Sequence, residues 1–285
     1  MRLYLKNDHC YAEVIKIENV DYYRVTLQLS SDIVKSFNFE NAYGKSLFDD
    51  ENLNALLYKD LVNILNKSNE LHKYLVEKHN FVGFLHETTI NNLIHILEDG
   101  KLKSRYMLDQ FDDSANYEVI EHTAEEVKKC VRFYFYPGTP TNYRFNQKNP
   151  NDLVYIVFKW DLILIDGAKI VNGNASSKHS KTMLANDYIL NYEKSNFMDW
   201  DSIFHRGCLP SDDACYYGLA SFDEKNDIRR KRNAEINIPN YVTTDYIDKI
   251  VFKTKEAGYR FIDGLKDDII TDKGIKLDVD PRYFS

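Results

Sequence analysis

The sequence has little glycine and proline, few cysteines, no long apolar run and no surplus of positive charge. Eleven Gly and six Pro are 17 of 285 residues, about 6%, half the ~12% of ordinary chains. Collagen-like, linker-like and low-complexity polymers are therefore excluded. No uninterrupted apolar stretch approaches the ~18 residues of a membrane span. The opening residues, Met1 to Asp8, hold no apolar core of the kind a secretory signal needs. A soluble, cytoplasmic protein without membrane contact is expected. The four cysteines, Cys10, Cys130, Cys208 and Cys215, form no Cys-x-x-Cys pair. His205 with Cys208 and Cys215 is the nearest approach to a zinc-type set, and its spacing is too loose. Reduced, unpaired thiols and no metal are expected. With 37 Lys+Arg against 44 Asp+Glu, the net charge is −7. That excludes a protein that coats duplex nucleic acid, which is normally basic.

What the chain does have is aromatic side chains, 14% of residues, with 21 Tyr and 16 Phe. Such a chain can build a core without staples, as one large or two modest domains. Residues 1–80 and 81–285 differ in pattern. Tyr22 to Leu29 alternates as a half-buried strand does, with Tyr11 to Glu18 as its hairpin partner and Asn19-Val20-Asp21 at the turn. Leu53, Leu56, Leu57, Leu61, Ile64 and Leu65 recur at helical spacing. A second short helix is predicted from Ser68, as N-cap, to about His79. Residues 1–80 thus read as a small ββα-type appendage with no catalytic cluster.

From residue 81 strands dominate, with helices packed against them, an α+β pattern. Ile90, Leu93, Ile94 and Leu97 mark a short amphipathic helix with Gly100 as its C-terminal cap. Val131 to Tyr136 alternates until Pro137-Gly138 ends it. Leu153 to Phe158, Leu162 to Ile165, Ala234 to Ile238 and Lys249 to Lys253 are further predicted strands, the last followed by a helix through Phe261. Within Ala234–Ile238 the two-residue period puts Ala234, Ile236 and Ile238 on one face and turns Glu235 the other way. A lone carboxylate directly after four cations, Arg229 to Arg232, reads either as an exposed edge-strand residue or as a catalytic group.

Five segments, taken in order, carry a resemblance. His86-Glu87-Thr88 runs through Asn92-Leu93 into a helix that ends at Gly100. Val131-Arg132-Phe133-Tyr134-Phe135-Tyr136-Pro137 follows. Gly173-Asn174-Ala175 and Asp199-Trp200 come next, and Arg229 to Arg232 then lead into Asn233-Ala234-Glu235. In this order, between residues 84 and 253, the chain resembles the DarT-like ADP-ribosyltransferases, toxins that modify bases of single-stranded DNA. The resemblance departs from the family where its Pro-Arg after the aromatic strand is Pro137-Gly138, and residues 1–80 are additional.

The resemblance implies an ADP-ribosyltransferase-like split β-sheet and mono-ADP-ribosyl transfer from NAD⁺. It implies Glu235 as the catalytic carboxylate, stabilising the cationic centre that forms when nicotinamide leaves. His86 would hold a ribose hydroxyl, supported by Thr88 and Asn92. Tyr134 or Tyr136 would stack on nicotinamide. Arg132, Arg105 or Arg144 would complete the NAD⁺ site. Arg144, Arg229, Arg230 and Arg232 would track the phosphates of a single strand, DNA by resemblance and RNA as competitor. Phage defence or a toxin–antitoxin pair is the implied setting, with a neutralising protein as partner and residues 1–80 as the candidate surface for it. Protein ADP-ribosylation is the alternative acceptor class. Asn233, two positions before Glu235, leans away from arginine modification. A non-catalytic NAD⁺- or partner-binding scaffold is the third reading.

Overall fold

The computed structural model describes residues 2–5, 10–19, 23–30, 33–39, 51–108, 121, 123–138, 152–205, 222–265 and 269–284, with side chains from residue 63 onward. Arg144, Lys148, Cys208 and Cys215 lie outside the described residues.

The N-terminal hairpin is one half of a larger unit. Strands β1 (Arg2–Leu5), β2 (Cys10–Asn19), β3 (Tyr23–Ser30) and β4 (Ile33–Phe39) form an antiparallel sheet in sequential order. The β2–β3 register, Glu18↔Arg24 and Asn19↔Tyr23, is that of the expected hairpin. A strand is added on each side of it, so the unit is not ββα.

The expected pair of helices is one, α1 (Glu51–His79). Ser68 is not a cap. It is buried in mid-helix, where its Oγ accepts a 2.8 Å hydrogen bond from Trp160 Nε1. A tertiary bond therefore explains the polar residue that sequence assigns to a helix start. The last turns of α1 belong to the following domain. Leu71 and Leu75 are fully buried in one cluster with Phe81, Phe84, Phe135 and Trp160. His72 stacks on Trp160 with centroids 4.9 Å apart and planes 5° from parallel. The division drawn at residue 80 thus cuts through a continuous core.

The main sheet has eight strands in the order β10-β9-β11-β7-β5-β8-β13-β14. These are β5 (Phe84–Thr89), β7 (Cys130–Tyr134), β8 (Leu153–Phe158), β9 (Lys169–Val171), β10 (Thr182–Leu184), β11 (Glu235–Pro239), β13 (Ile247–Phe252) and β14 (Lys276–Val279). Only β13 and β14 run parallel among these pairs. A separate two-stranded ribbon joins β6 (Lys101–Lys103) to β12 (Tyr241–Thr243). β5 pairs with β8 along its whole length, from Phe84↔Phe158 to Thr89↔Leu153. On its other side it meets β7 at Leu85↔Tyr134 alone. The sheet is therefore nearly parted between β5 and β7, the split that the resemblance implies.

Helix α2 (Ile90–Asp99) starts at Thr89, whose Oγ1 accepts from Asn92 N at 3.1 Å, and ends at Gly100 with φ 68°. That left-handed φ is the conformation for which glycine is favoured. Leu162 to Ile165 is not a strand. Trp160–Leu164 forms a 3₁₀ turn with Trp160, Leu162 and Ile163 buried. A short apolar run carries no periodicity by which a strand and a buried turn can be told apart. The aromatic strand stops at Tyr134, two residues before its expected end.

Two outcomes are expected. A chain starting at residue 81 loses Leu65, Leu71, Leu75 and the Ser68–Trp160 bond, and fails to give a cooperative melt by circular dichroism. A chain starting at residue 51 keeps all of these and melts cooperatively. Stability also depends on pH through His72, whose imidazole is held below its ordinary value by burial. A depressed value means the folded state resists protonation that the unfolded chain accepts. The contribution is full above pH ~6.5 and is lost as pH falls below it. The melting temperature is expected to drop between pH 7 and 5, and less steeply in His72→Phe.

Candidate active site

β11 is built to bury a carboxylate. Ala234, Ile236 and Ile238 enter the apolar core, which turns Glu235 and Asn237 to the other face. β11 lies between β9 and β7 and so is not an edge, and Glu235, with the Arg132 side chain and the backbone of Ala175 against it, is 0% exposed. The exposed edge-strand reading of Glu235 is therefore excluded.

A buried carboxylate needs a compensating charge and hydrogen bonds. The antiparallel register sets Glu235 opposite Tyr134 and Asn237 opposite Arg132. Arg132 reaches Glu235 from this neighbouring pair, donating from Nε to Oε2 at 2.7 Å and from Nη2 to Oε1 at 2.6 Å. Ala175 N donates to Oε1 at 3.0 Å. With the Asn237 amide turned so that its NH₂ faces the carboxylate, that nitrogen is 3.3 Å from Oε2. A carboxylate offers about four lone-pair sites, so Glu235 is saturated. Burial works against the charge on Arg132, yet the adjoining Glu235 carboxylate outweighs it and holds the guanidinium above its ordinary value. Arg132 is also the outer member of the pair, its side chain 28% exposed against 0% for Glu235.

The Gly173-Asn174-Ala175 segment follows β9 and wraps this pair. Asn174 Oδ1 accepts from Arg132 Nη2 at 3.3 Å and from Ser176 N at 2.9 Å. Ser176 Oγ accepts from Arg132 Nη1 at 3.3 Å and from Thr123 Oγ1 at 3.0 Å. Ser176, Thr123 and Asn237 join the site from outside the sequence motifs. Asn237 could have been found, since the two-residue period turns it the way of Glu235. Ser176 and Thr123 carry no sequence signal.

The other expected residues divide. Tyr134 shares the face of Glu235 and Arg132, directly opposite Glu235 in register. Tyr136 lies past the strand end, edge-on to Phe204 with centroids 5.8 Å apart. The structure thus sets Tyr134 beside the pair. His86 sits at the parting of β5 and β7, with Nδ1 3.0 Å from Arg132 O and its ring 5.8 Å from that of Phe133. Burial lowers its proton affinity, so the ring is neutral at pH 7. Thr88 is buried, and Asn92 lies in the first turn of α2. Arg105 is in a 3₁₀ turn after β6. Glu87, within the His86-Glu87-Thr88 segment, is a second buried acid that sequence did not single out, bonded by Tyr155 Oη at 2.8 Å.

The basic run belongs to helix α3 (Phe222–Arg232). Arg229 is exposed and Arg232 half-buried. Lys231 is ion-paired with Asp199 at 3.2 Å and Asp227 at 3.1 Å. Arg230 is turned inward and bonded to the Gly173 loop. Asp199 caps the short helix Trp200–Phe204 through Ser202 N at 3.0 Å, and Trp200 packs edge-on to Phe135 at 5.1 Å. The Asp-Trp element is thereby a structural joint.

The chain matches, over residues 85–283, the family described as DarT, ssDNA thymidine ADP-ribosyltransferase. The fold is similar to that of DarT from Thermus sp. 2.9 in complex with ADP-ribosylated ssDNA. The TM-score there is 0.54 at 16% identity, covering 71% of this chain and 95% of that one. The same protein in complex with NAD⁺ gives TM-score 0.52 at 15% identity, covering 71% and 96%. DarTG from Thermosipho africanus in complex with ADP-ribose gives 0.52 at 21% identity, covering 72% of this chain and 51% of that one. A search of the curated proteins finds no match. With the family match spanning well over half of the sequence and the parted sheet beneath it, this chain belongs to the DarT family of ADP-ribosyltransferases.

Proposed function

We propose that this chain transfers ADP-ribose from NAD⁺ to a thymine base of single-stranded DNA, with Glu235 as the catalytic carboxylate. The observation that carries this reading is the buried Arg132–Glu235 pair at the parting of the sheet, inside the segment that matches the family. NAD⁺ supplies an ADP-ribosyl group on a cationic leaving group. Glu235 provides a fixed negative charge in a water-poor setting, where a developing positive centre is stabilised most. Neutral His86 offers a ring nitrogen to a ribose hydroxyl, and Tyr134 offers an aromatic face. Arg132 places a cation against Glu235 where the substrate's own positive centre would be stabilised. Its guanidinium must give way, wholly or on one oxygen, before a substrate group can touch the carboxylate. Asn174 and Ser176 are the acceptors beside it that can keep Arg132 bonded as it moves.

A short single strand is favoured over a duplex by the net charge of −7. Arg229 is the member of the basic run free to face solvent as a phosphate contact. An enzyme that modifies its own cell's DNA calls for a neutralising partner, in a toxin–antitoxin or phage-defence setting. The DarTG resemblance supports that reading. Residues 1–80, which precede the family match, are the candidate surface for such a partner.

Incubation with labelled NAD⁺ and separate single-stranded DNA, RNA and lysate protein tests the acceptor. Mass spectrometry is expected to find ADP-ribose on DNA thymine, while label on RNA or protein alone overturns the proposal. Glu235→Gln is expected to lower transfer by roughly 10²–10⁴-fold. It also leaves Arg132 without its counter-charge, at about 3–5 kcal/mol in stability, read by denaturant melts. Full transfer by this variant removes Glu235 from the mechanism.

A further inference from the structure

The basic run before β11 reads from sequence as a phosphate-tracking element, yet Arg230 is turned into the protein. Its Nη1 donates to Asn172 O at 3.0 Å, to Asn172 Oδ1 at 3.2 Å and to Ser180 Oγ at 3.3 Å. Its Nε donates to Asp227 Oδ1 at 2.9 Å. Its own carbonyl accepts from Asn174 N at 3.0 Å. Arg230 therefore grips both ends of the 172–180 loop with its side chain, and Asn174 with its backbone.

Gly173 shows how close this grip is. A Cβ there would collide with Arg230 Nη1 and stand 2.8 Å from Ser180 Oγ and 2.9 Å from Arg230 Cγ. Only a residue without a side chain lets the guanidinium lie across the loop. Beyond Gly173 the loop delivers two groups to the site. Asn174 Oδ1 meets Arg132, and Ala175 N donates to Glu235. Ser180 Oγ also donates to Asn174 O at 2.7 Å, which closes the loop on itself.

We infer that Arg230, held by Asp227, is a positioning residue. It clasps the Gly173–Ser180 loop so that Asn174 and Ala175 fix the Arg132–Glu235 pair, and it is not a nucleic-acid contact. The inference rests on the reading of Glu235 as catalytic. The clasp itself is separable from that reading, because it fixes a loop whether or not chemistry follows. The guanidinium fork matters here, since one group must serve the loop and Asp227 together.

The test compares Arg230→Gln, Arg230→Lys and Gly173→Ala with the full-length wild type. Hydrogen–deuterium exchange over residues 172–180 reads the clasp without any activity. Exchange there is expected to quicken at least about tenfold in Arg230→Gln and Gly173→Ala, the order of one lost buried hydrogen bond. Unchanged exchange overturns the clasp. Transfer at saturating DNA is expected to fall by roughly 10- to 100-fold, as for a misplaced catalytic group, with partial rescue in Arg230→Lys. The dissociation constant for a single-stranded oligonucleotide, and its salt slope, are expected to stay within twofold of wild type. A weaker oligonucleotide complex whose salt slope drops by about one, with transfer at saturation intact, makes Arg230 a phosphate contact instead. A lower melting temperature with transfer intact reduces Arg230 to a structural role. Quickened exchange in Arg230→Gln and Gly173→Ala, beside a wild type that transfers nothing, would refute the catalytic reading while leaving the clasp standing.

Discussion

Everything at the site depends on burying one carboxylate. Glu235 is inaccessible to solvent in a central strand, and such a charge is tolerable only with a counter-charge and hydrogen bonds in place. Arg132 supplies the charge from the adjacent strand. The Gly173-Asn174-Ala175 loop supplies a backbone donor to Glu235 and an acceptor to Arg132. The loop in turn needs α3 to hold it, and α3 is tied to Asp199 through Lys231. The five motifs spread between residues 84 and 235 thus form one hydrogen-bonded assembly, with the carboxylate at its centre.

The same saturation limits the chemistry. A carboxylate with all its lone pairs engaged is well placed and well charged, but it is not open to a substrate. The exposed edge of the pair is the guanidinium. In the proposed function Arg132 is thereby the gate between solvent and Glu235. A cationic substrate centre can take over its electrostatic role at no cost in charge balance. The parting between β5 and β7 brings neutral His86 against the Arg132 backbone, so the strand that carries the gate is held from the side where the ladder is missing.

Much of this was legible in the sequence. Two-residue alternation in Ala234–Ile238 gave the direction of Glu235, and the apolar period from Ile90 to Leu97 with Gly100 behind it marked α2. The motifs, taken in order, led to the family. What failed did so for tertiary reasons. Ser68 looks like a cap until Trp160 is found across from it. Leu162 to Ile165 is apolar enough for a strand yet packs as a turn. Arg230 and Lys231 look like a free basic patch because sequence does not show Asn172 and Asp199 coming up beside them. That Tyr134 and not Tyr136 lies opposite Glu235 needed the register with β11. That Arg132 reaches across to Glu235 is announced by no spacing.

The central claim is that the Arg132–Glu235 pair is the resting form of a substrate site and opens when NAD⁺ arrives. The Nε–Hε resonance of Arg132, assigned by its loss in Arg132→Gln, reports that bond directly. Titration with NAD⁺, with binding followed in parallel by calorimetry, is predicted to move it from the position of a buried, carboxylate-bonded guanidinium toward that of a released one. A resonance that stays in place while NAD⁺ saturates the protein would contradict the account.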